Sequence, residues 1–142
     1  ASGRQSQKCI RGRTRVRDII DLAGEKISVF GGIMGFESFV EGADGWVAVG
    51  SNIMPAASAQ LFTLTTIDQD YDAARALYRS MLPVIRLVGG HRYVSATKAA
   101  LGLLGFAMGS PRAPRLSLPE HEFYEVLAAL DSVGLLNQQQ AR

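Results

Sequence analysis

Lys8 and Lys98 are the lysines whose surroundings invite a chemical interpretation. A lysine attacks a carbonyl group only as the neutral amine, so burial or a neighbouring cation has to lower its pKa. Lys8 follows residues 3–7, which have no strand character, so it should be exposed, protonated and a poor nucleophile. Lys98 lies in a run of small and apolar residues, which favours a structural, capping or interface role.

The cysteine and the two histidines of the sequence do not predict a metal site. Cys9 is the single cysteine, so it has no partner for an internal disulfide. It also stands in an arginine-rich stretch without Cys or His at the spacing of metal ligands. His91 and His121 have no third ligand at a useful distance along the chain. We therefore expect neither a metal nor another cofactor.

The first regular elements predict two successive β-α units. A helix beginning near Arg15 places Val16, Ile19, Ile20 and Ala23 on one face. Two short apolar strands follow, each with a helix after it: a strand over Ile27–Phe30, a helix around Phe36–Val40, a strand over Trp46–Val49 and a helix over Met54–Ile67. Strand, helix, strand, helix in succession is the pattern of parallel β-α units.

The rest of the sequence predicts helices. Asp70 can cap a long helix that contains Pro83 and ends at the glycine pair 89–90. A second helix is predicted over Val94–Met108, where small residues, among them Gly102 and Gly105, permit close packing. Ser117 and Glu120 have the spacing of a capping box at the start of the last helix.

The stretch Val29 to Pro55, which reads VFGGIMGFESFVEGADGWVAVGSNIMP, resembles strands seven and eight of the dihydrodipicolinate synthase and N-acetylneuraminate lyase family. The runs Thr97–Gly105 and Pro114–Leu136 resemble the family's C-terminal helical region in the same order. The resemblance implies an α/β fold, the last two β-α units of a (β/α)8 TIM barrel followed by a three-helix region. It divides the chain into an irregular basic segment (1–14), the barrel part (15–67) and the helical region (68–142).

The resemblance also implies a site. In that family a lysine at the end of strand six forms a Schiff base with pyruvate or a related 2-keto acid. A one-residue gap places Lys8 at that position, although Cys9, Arg11 and Arg13 depart from the family's motif. The family's tyrosine and its carboxylate-binding hydroxyl pair belong to the first half of the barrel.

The resemblance carries two substrate-binding positions over to this sequence. Gly32 matches the glycine that lies against the substrate at strand seven. Val47 matches the aliphatic residue of strand eight that faces the lysine. A turn glycine and a core valine remain open readings of the same positions. Ile33 and Met34 stand where the family commonly has an acidic residue after the glycine pair, which leaves the substrate subtype open.

Length sets an expectation about activity. The 142 residues are fewer than the roughly 250 that close a complete barrel. We therefore expect a truncated lyase or aldolase that is inactive alone, and that associates with itself or with a complementary N-terminal half. One alternative is a non-enzymatic remnant or an oligomerisation/interaction module. Another alternative is an active lyase that uses Lys8.

The charge distribution and the hydropathy of the sequence argue against nucleic acid and a membrane as partners. The net charge is +2, and six of the basic residues lie within positions 1–17 without an acidic residue. The segment could contact phosphates, but it has no interleaved aromatic residues and no recognition fold follows, so nucleic acid is not the expected partner. No apolar run has the ~20 residues that span a bilayer. We expect a cytoplasmic protein without a membrane segment.

Overall fold

The computed structural model of the protein describes residues 14–90 and 92–136. Lys8, Cys9 and the other residues of positions 1–13 lie outside the described residues, as does His91. Among the helices described, none is long and apolar enough to cross a membrane.

The described chain divides into two compact units. The first ends at Val47 and contains a β-α-β motif, and the second begins at Ala48 and is helical. The division falls inside residues 15–67, the segment that the sequence analysis assigned to the barrel. The predicted boundary between a barrel part and a helical region at residue 67 is a different kind of division, based on the family resemblance, and it stays a prediction.

Over residues 14–47, the first unit has two α-helices and two short parallel strands. Its elements in chain order are α1 (Thr14–Ala23), a 3-10 turn (Gly24–Lys26), β1 (Phe30–Gly31), α2 (Gly35–Val40) and β2 (Gly45–Trp46). Phe30 pairs with Gly45, and Gly31 pairs with Trp46. An ion pair between Arg17 and Glu41 joins α1 to the end of α2. The order of elements predicted from the sequence is the order found.

Strand β1 is shorter than predicted. The sequence predicts a buried strand over Ile27–Phe30, whereas the ladder begins only at Phe30. Ile27 and Phe30 are 54% and 59% exposed, and Val29 is buried. The Val29 N–H donates to Asp44 Oδ2 at 2.7 Å instead of to a further strand. Within the described residues β1 has a single strand neighbour, β2, so its other edge has no strand partner there.

Strand β2 is also shorter than predicted. The sequence predicts a strand over Trp46–Val49, but the ladder holds Gly45–Trp46 and a 3-10 turn begins at Val49. Val47 is 73% exposed. A continuous apolar run predicts a parallel strand covered on both faces, and the described first unit does not supply that cover for Val47.

Two glycines allow α2 to lie unusually close to the strands. A Cβ on Gly35 would stand 2.6 Å from the ring of Trp46, and a Cβ on Gly31 would stand 2.3 Å from the Cβ of Ser38. Phe39 of α2 contacts Trp46 edge to face, with 6.5 Å between ring centroids. Glycine at these positions is therefore a requirement of packing between the helix and the sheet.

The second unit contains four helices and its own apolar core. These are α3 (Pro55–Phe62), which continues as a π-helical turn (Thr63–Ile67), α4 (Tyr71–Val88), α5 (Tyr93–Leu103) and α6 (Glu120–Ser132). The largest fully buried side chains come from α3, α4 and α6: Leu61, Met81, Val84, Val88, Val126 and Leu130. Asp70 caps α4 as predicted, because its Oδ1 accepts the Ala73 N–H at 3.0 Å.

Helix α5 ends five residues before the predicted end at Met108. Gly105 has a φ of +85°, a conformation that L side chains rarely adopt. Its N–H donates to the carbonyl of Gly102 at 3.0 Å, and the Phe106 N–H donates to the carbonyl of Leu101 at 2.9 Å. This pair of bonds is the Schellman motif that ends helices. Gly105 is thus a helix terminator, and the reading of it as a packing residue was wrong.

Helix α6 begins without the predicted capping box. Its first helical residue is Glu120, and the preceding Pro119 is extended (φ −64°, ψ 158°) and provides no side-chain cap. A proline also biases the residue before it, Leu118, away from helical geometry. Ser117 therefore stands too far before the helix to cap it, and the box prediction was wrong.

We expect Gly35→Ala to lower the free energy of unfolding of the first unit by about 1–3 kcal/mol, because the new methyl group meets a rigid indole. Urea denaturation followed by the fluorescence of Trp46, the single tryptophan, measures this. Gly102→Ala is the control: apart from its chain neighbours and the backbone of its own helix, no described atom lies within 4 Å of its Cβ position, and in a helix the change is expected to stabilise by up to about 1 kcal/mol. Equal destabilisation by both changes would contradict the packing explanation.

Candidate functional site

The carboxyl ends of β1 and β2 bring the two predicted substrate-binding residues together. Gly32 directly follows β1 and Val47 directly follows β2. The Val47 N–H donates to the carbonyl of Gly31 at 2.9 Å, so Val47 lies beside the exit of the neighbouring strand. In parallel α/β folds this edge of the sheet is where ligands bind.

Gly32 has no structural reason of its own to be glycine within the described residues. Nothing lies within 4 Å of a Cβ built on it, and its φ is not in the left-handed region. Gly31 next to it does have such a reason, because a Cβ there would collide with Ser38. A glycine without a packing or dihedral requirement has a bare backbone that is accessible to a ligand.

Apolar side chains border this strand exit. Ile33 and Met34 follow Gly32 and are 38% and 40% exposed. They stand at the place where the sequence analysis noted the absence of an acidic residue. The surface next to Gly32 therefore offers backbone groups and apolar contacts, and none of the residues from 31 to 36 is charged.

The indole of Trp46 forms a contact that the sequence analysis missed. Its Nε1–H donates to the carbonyl of Gly32. The sequence reading treated Trp46 as an apolar strand residue. The sequence contains a single tryptophan and, eleven positions earlier, Gly35, whose missing side chain leaves room for the indole ring. The strand register is needed to show that these two residues are in contact.

Lys98 has a structural partner. Its Nζ donates to the carbonyl of Met108 at 2.6 Å, which ties the loop after α5 back to the helix. Ser95, one turn earlier, donates from its Oγ to the carbonyl of Leu116 at 2.6 Å. Lys98 lies in the second unit and the two strands lie in the first, and the geometry assigns it a loop-holding role.

A groove of ≈470 Å³ lies beside the start of α5. The two charged side chains that line it are Arg92 and Arg115. Arg92 Nη1 lies 2.8 Å from Glu122 Oε2, and the Arg115 guanidinium lies 5.8 Å from the ring centroid of Tyr93. Both cations are thus engaged within the protein, and we do not assign chemistry to this groove.

His121 is exposed and its Nε2 lies 3.9 Å from Glu122 Oε1. Over residues 14–90 and 92–136, no group of three or more His, Cys, Asp or Glu side chains could hold a metal ion. His91 and Cys9 lie outside this part of the chain.

Comparison with known proteins identifies the family. Residues 7–133 match the Dihydrodipicolinate synthetase family. The chain belongs to this family. A 4-hydroxy-tetrahydrodipicolinate synthase from Psychrobacter sp. (strain PRwf-1) is 29% identical to it over 121 residues, which are 84% of this chain and 40% of that protein. One from Syntrophobacter fumaroxidans is 34% identical over 92 residues, 63% of this chain and 31% of that protein.

Solved structures of the dihydrodipicolinate synthase family show the same fold. The enzyme from Thermotoga maritima superposes with a TM-score of 0.82 at 22% identity and covers 89% of this chain and 44% of its own. The chloride-inhibited enzyme from Acinetobacter baumannii, solved in complex with pyruvate, gives 0.81 at 24% identity over the same shares. The chain spans about two fifths of the length of the relatives it matches, and the match covers their C-terminal part.

We expect Lys98→Met to loosen the loop of residues 104–116 without affecting the first unit. Loss of one hydrogen bond should speed amide exchange in that loop by about fivefold and change the free energy of unfolding by less than about 1 kcal/mol. Hydrogen–deuterium exchange measures both. Lys26→Met, which removes an exposed lysine of the 3-10 turn, is the control and should leave the loop unchanged. Unchanged exchange in Lys98→Met would contradict the loop-holding role.

Proposed function

We propose that the exits of β1 and β2 form the C-terminal part of a 2-keto-acid pocket in a lyase that acts through a lysine Schiff base. The observation that carries this proposal is the placement of Gly32 and Val47, the residues that directly follow β1 and β2, at the carboxyl edge of two adjacent parallel strands. Membership of the family supports it. Gly32 would lie against the substrate, and Val47 would form an apolar wall opposite the lysine.

Pyruvate is the substrate kind that we propose. The A. baumannii relative was solved in complex with pyruvate. The exit of β1 suits a small keto acid, since Gly32 presents bare backbone and Ile33 and Met34 present apolar surface suited to a methyl group.

We further propose that these 142 residues are inactive by themselves. A Schiff-base lysine has to be buried or placed near a cation to be neutral. The lysines of the described residues are Lys26, which is exposed, and Lys98, which is bound to Met108. Lys8 is the remaining candidate for the catalytic lysine, and that assignment stays a proposal.

Additional barrel strands would complete the pocket. Each described strand has one edge without a strand partner, and open edges attract further strands. Phe30 of β1 is 59% exposed, and Val47, which follows β2, is 73% exposed. We propose that β-α units equivalent to the first part of the relatives pair with these edges, supplied either by the same polypeptide or by a second chain.

An oligomerisation module is the second candidate function. Exposed apolar side chains of the first unit favour it, with Leu22 of α1 88% exposed and Val47 73% exposed. Such surfaces mark sites of protein association. In this reading the chain associates with copies of itself and binds no keto acid.

Incubation of the 142-residue chain with pyruvate and borohydride tests activity. The reductant converts an imine to a stable secondary amine, and intact-mass measurement detects the added mass. We expect no adduct, because the described lysines are exposed or held in a structural bond. A single adduct mapped to Lys8 would overturn the proposed inactivity and establish Lys8 as the nucleophile.

Mixing the chain with the part of the Psychrobacter relative that precedes the matched region tests completion. We expect a one-to-one complex in native mass spectrometry that forms an imine with pyruvate. Val47→Arg should abolish the complex while leaving the isolated chain folded, since the side chain is 73% exposed. Leu116→Arg, in the second unit and 81% exposed, is the matched control. Homo-oligomers without the mixed complex would favour the oligomerisation module instead.

A further inference from the structure

We infer that Trp46 is a positioning residue for the pocket: its indole N–H holds the Gly32 peptide at the exit of β1 in the orientation that meets the substrate. This inference rests on the proposed function for its substrate and on the described geometry for its contact. Trp46 does not itself touch the reacting atoms, and it acts through Gly32.

The contact is specific to one atom pair. Trp46 Nε1 donates to the carbonyl oxygen of Gly32 across 14 positions of sequence. Gly32 follows the last residue of β1 and precedes α2, so it lies in neither the ladder nor the helix. Glycine has the largest backbone freedom of any residue. Without a side-chain partner, this peptide would be the least constrained part of the strand exit.

The ring that carries the donor is held on two sides. Gly35 lies against its face, closely enough that a Cβ would reach 2.6 Å from the ring. Phe39 contacts it edge to face at 6.5 Å between centroids. A donor fixed in this way loses little conformational freedom when it binds the carbonyl, which is the condition for preorganising a binding group.

Fixing the carbonyl also fixes the amide that a ligand would meet. The peptide is planar, so an oxygen bound to the indole sets the direction of the neighbouring Ile33 N–H. In the described part of the chain, the N–H groups of Gly32 and Ile33 donate to no backbone or side-chain acceptor. They are therefore available to an oxygen of a keto acid, a group that accepts hydrogen bonds.

Two variants separate the hydrogen bond from the packing of the ring. Trp46→Phe keeps an aromatic ring and removes the donor. Phe39→Leu loosens the packing and keeps the donor. The chain has a single tryptophan, so one indole resonance in a nitrogen–proton NMR spectrum reports the bond directly, and the amides of Gly32 and Ile33 report the peptide.

In the unmodified chain, we expect the indole N–H to exchange with solvent roughly five- to tenfold more slowly than a free indole. Trp46→Phe should move or broaden the amide resonances of Gly32 and Ile33, and Phe39→Leu, which keeps the donor but removes one of its supports, should move them less. An indole that exchanges at the free rate, or Gly32 and Ile33 resonances that do not change in Trp46→Phe, would overturn the inference.

A pyruvate titration of the one-to-one complex with the first part of the Psychrobacter relative then tests the link to the pocket. In that complex we expect pyruvate to shift the Gly32 amide, with an affinity about five- to tenfold weaker in Trp46→Phe and a smaller loss of affinity in Phe39→Leu. Equal affinities in all three proteins would overturn the positioning role. The absence of any pyruvate shift in the complex of the unmodified chain would contradict the proposed function, while the exchange of the indole N–H would still decide whether Trp46 holds Gly32.

Discussion

The parallel pairing of β1 with β2 is the constraint on which the rest of the first unit depends. With Gly31 opposite Trp46, the indole comes to lie over Gly35 and within reach of the Gly32 carbonyl. A shift of one residue would send Trp46 to the other face of the sheet. The register thus decides at once how α2 packs, what holds the strand exit and which residues line the candidate pocket.

Local patterns in the sequence were sufficient for the order and type of most elements. The spacing of apolar residues predicted α1 and α4, and the position of Asp70 before α4 predicted the N-terminal cap that its side chain forms. The same patterns with the family resemblance singled out Gly32 and Val47, which the structure places at one edge of the sheet. These features depend on residues a few positions apart, so a sequence read along its length contains them.

The features that were missed depend on contacts between distant residues or on a single backbone angle. The ends of both strands were misplaced because strand length is set by neighbours on each edge, and apolar runs report only the tendency to be buried. Gly105 could serve equally as a packing residue or as a terminator until its φ of +85° is known. The Trp46 contact with Gly32 spans 14 positions and has no periodic pattern.

The two units differ in how much of their own core they contain. Buried side chains of α3, α4 and α6 close the second unit upon itself, whereas the buried apolar residues of the first are Val29, Phe39 and Ala43 among those described. Hydrophobic stabilisation grows with the apolar area removed from water. The unit that carries the candidate pocket is therefore the one that gains most from further strands, since the surface that would complete the pocket is also the surface that would complete its core.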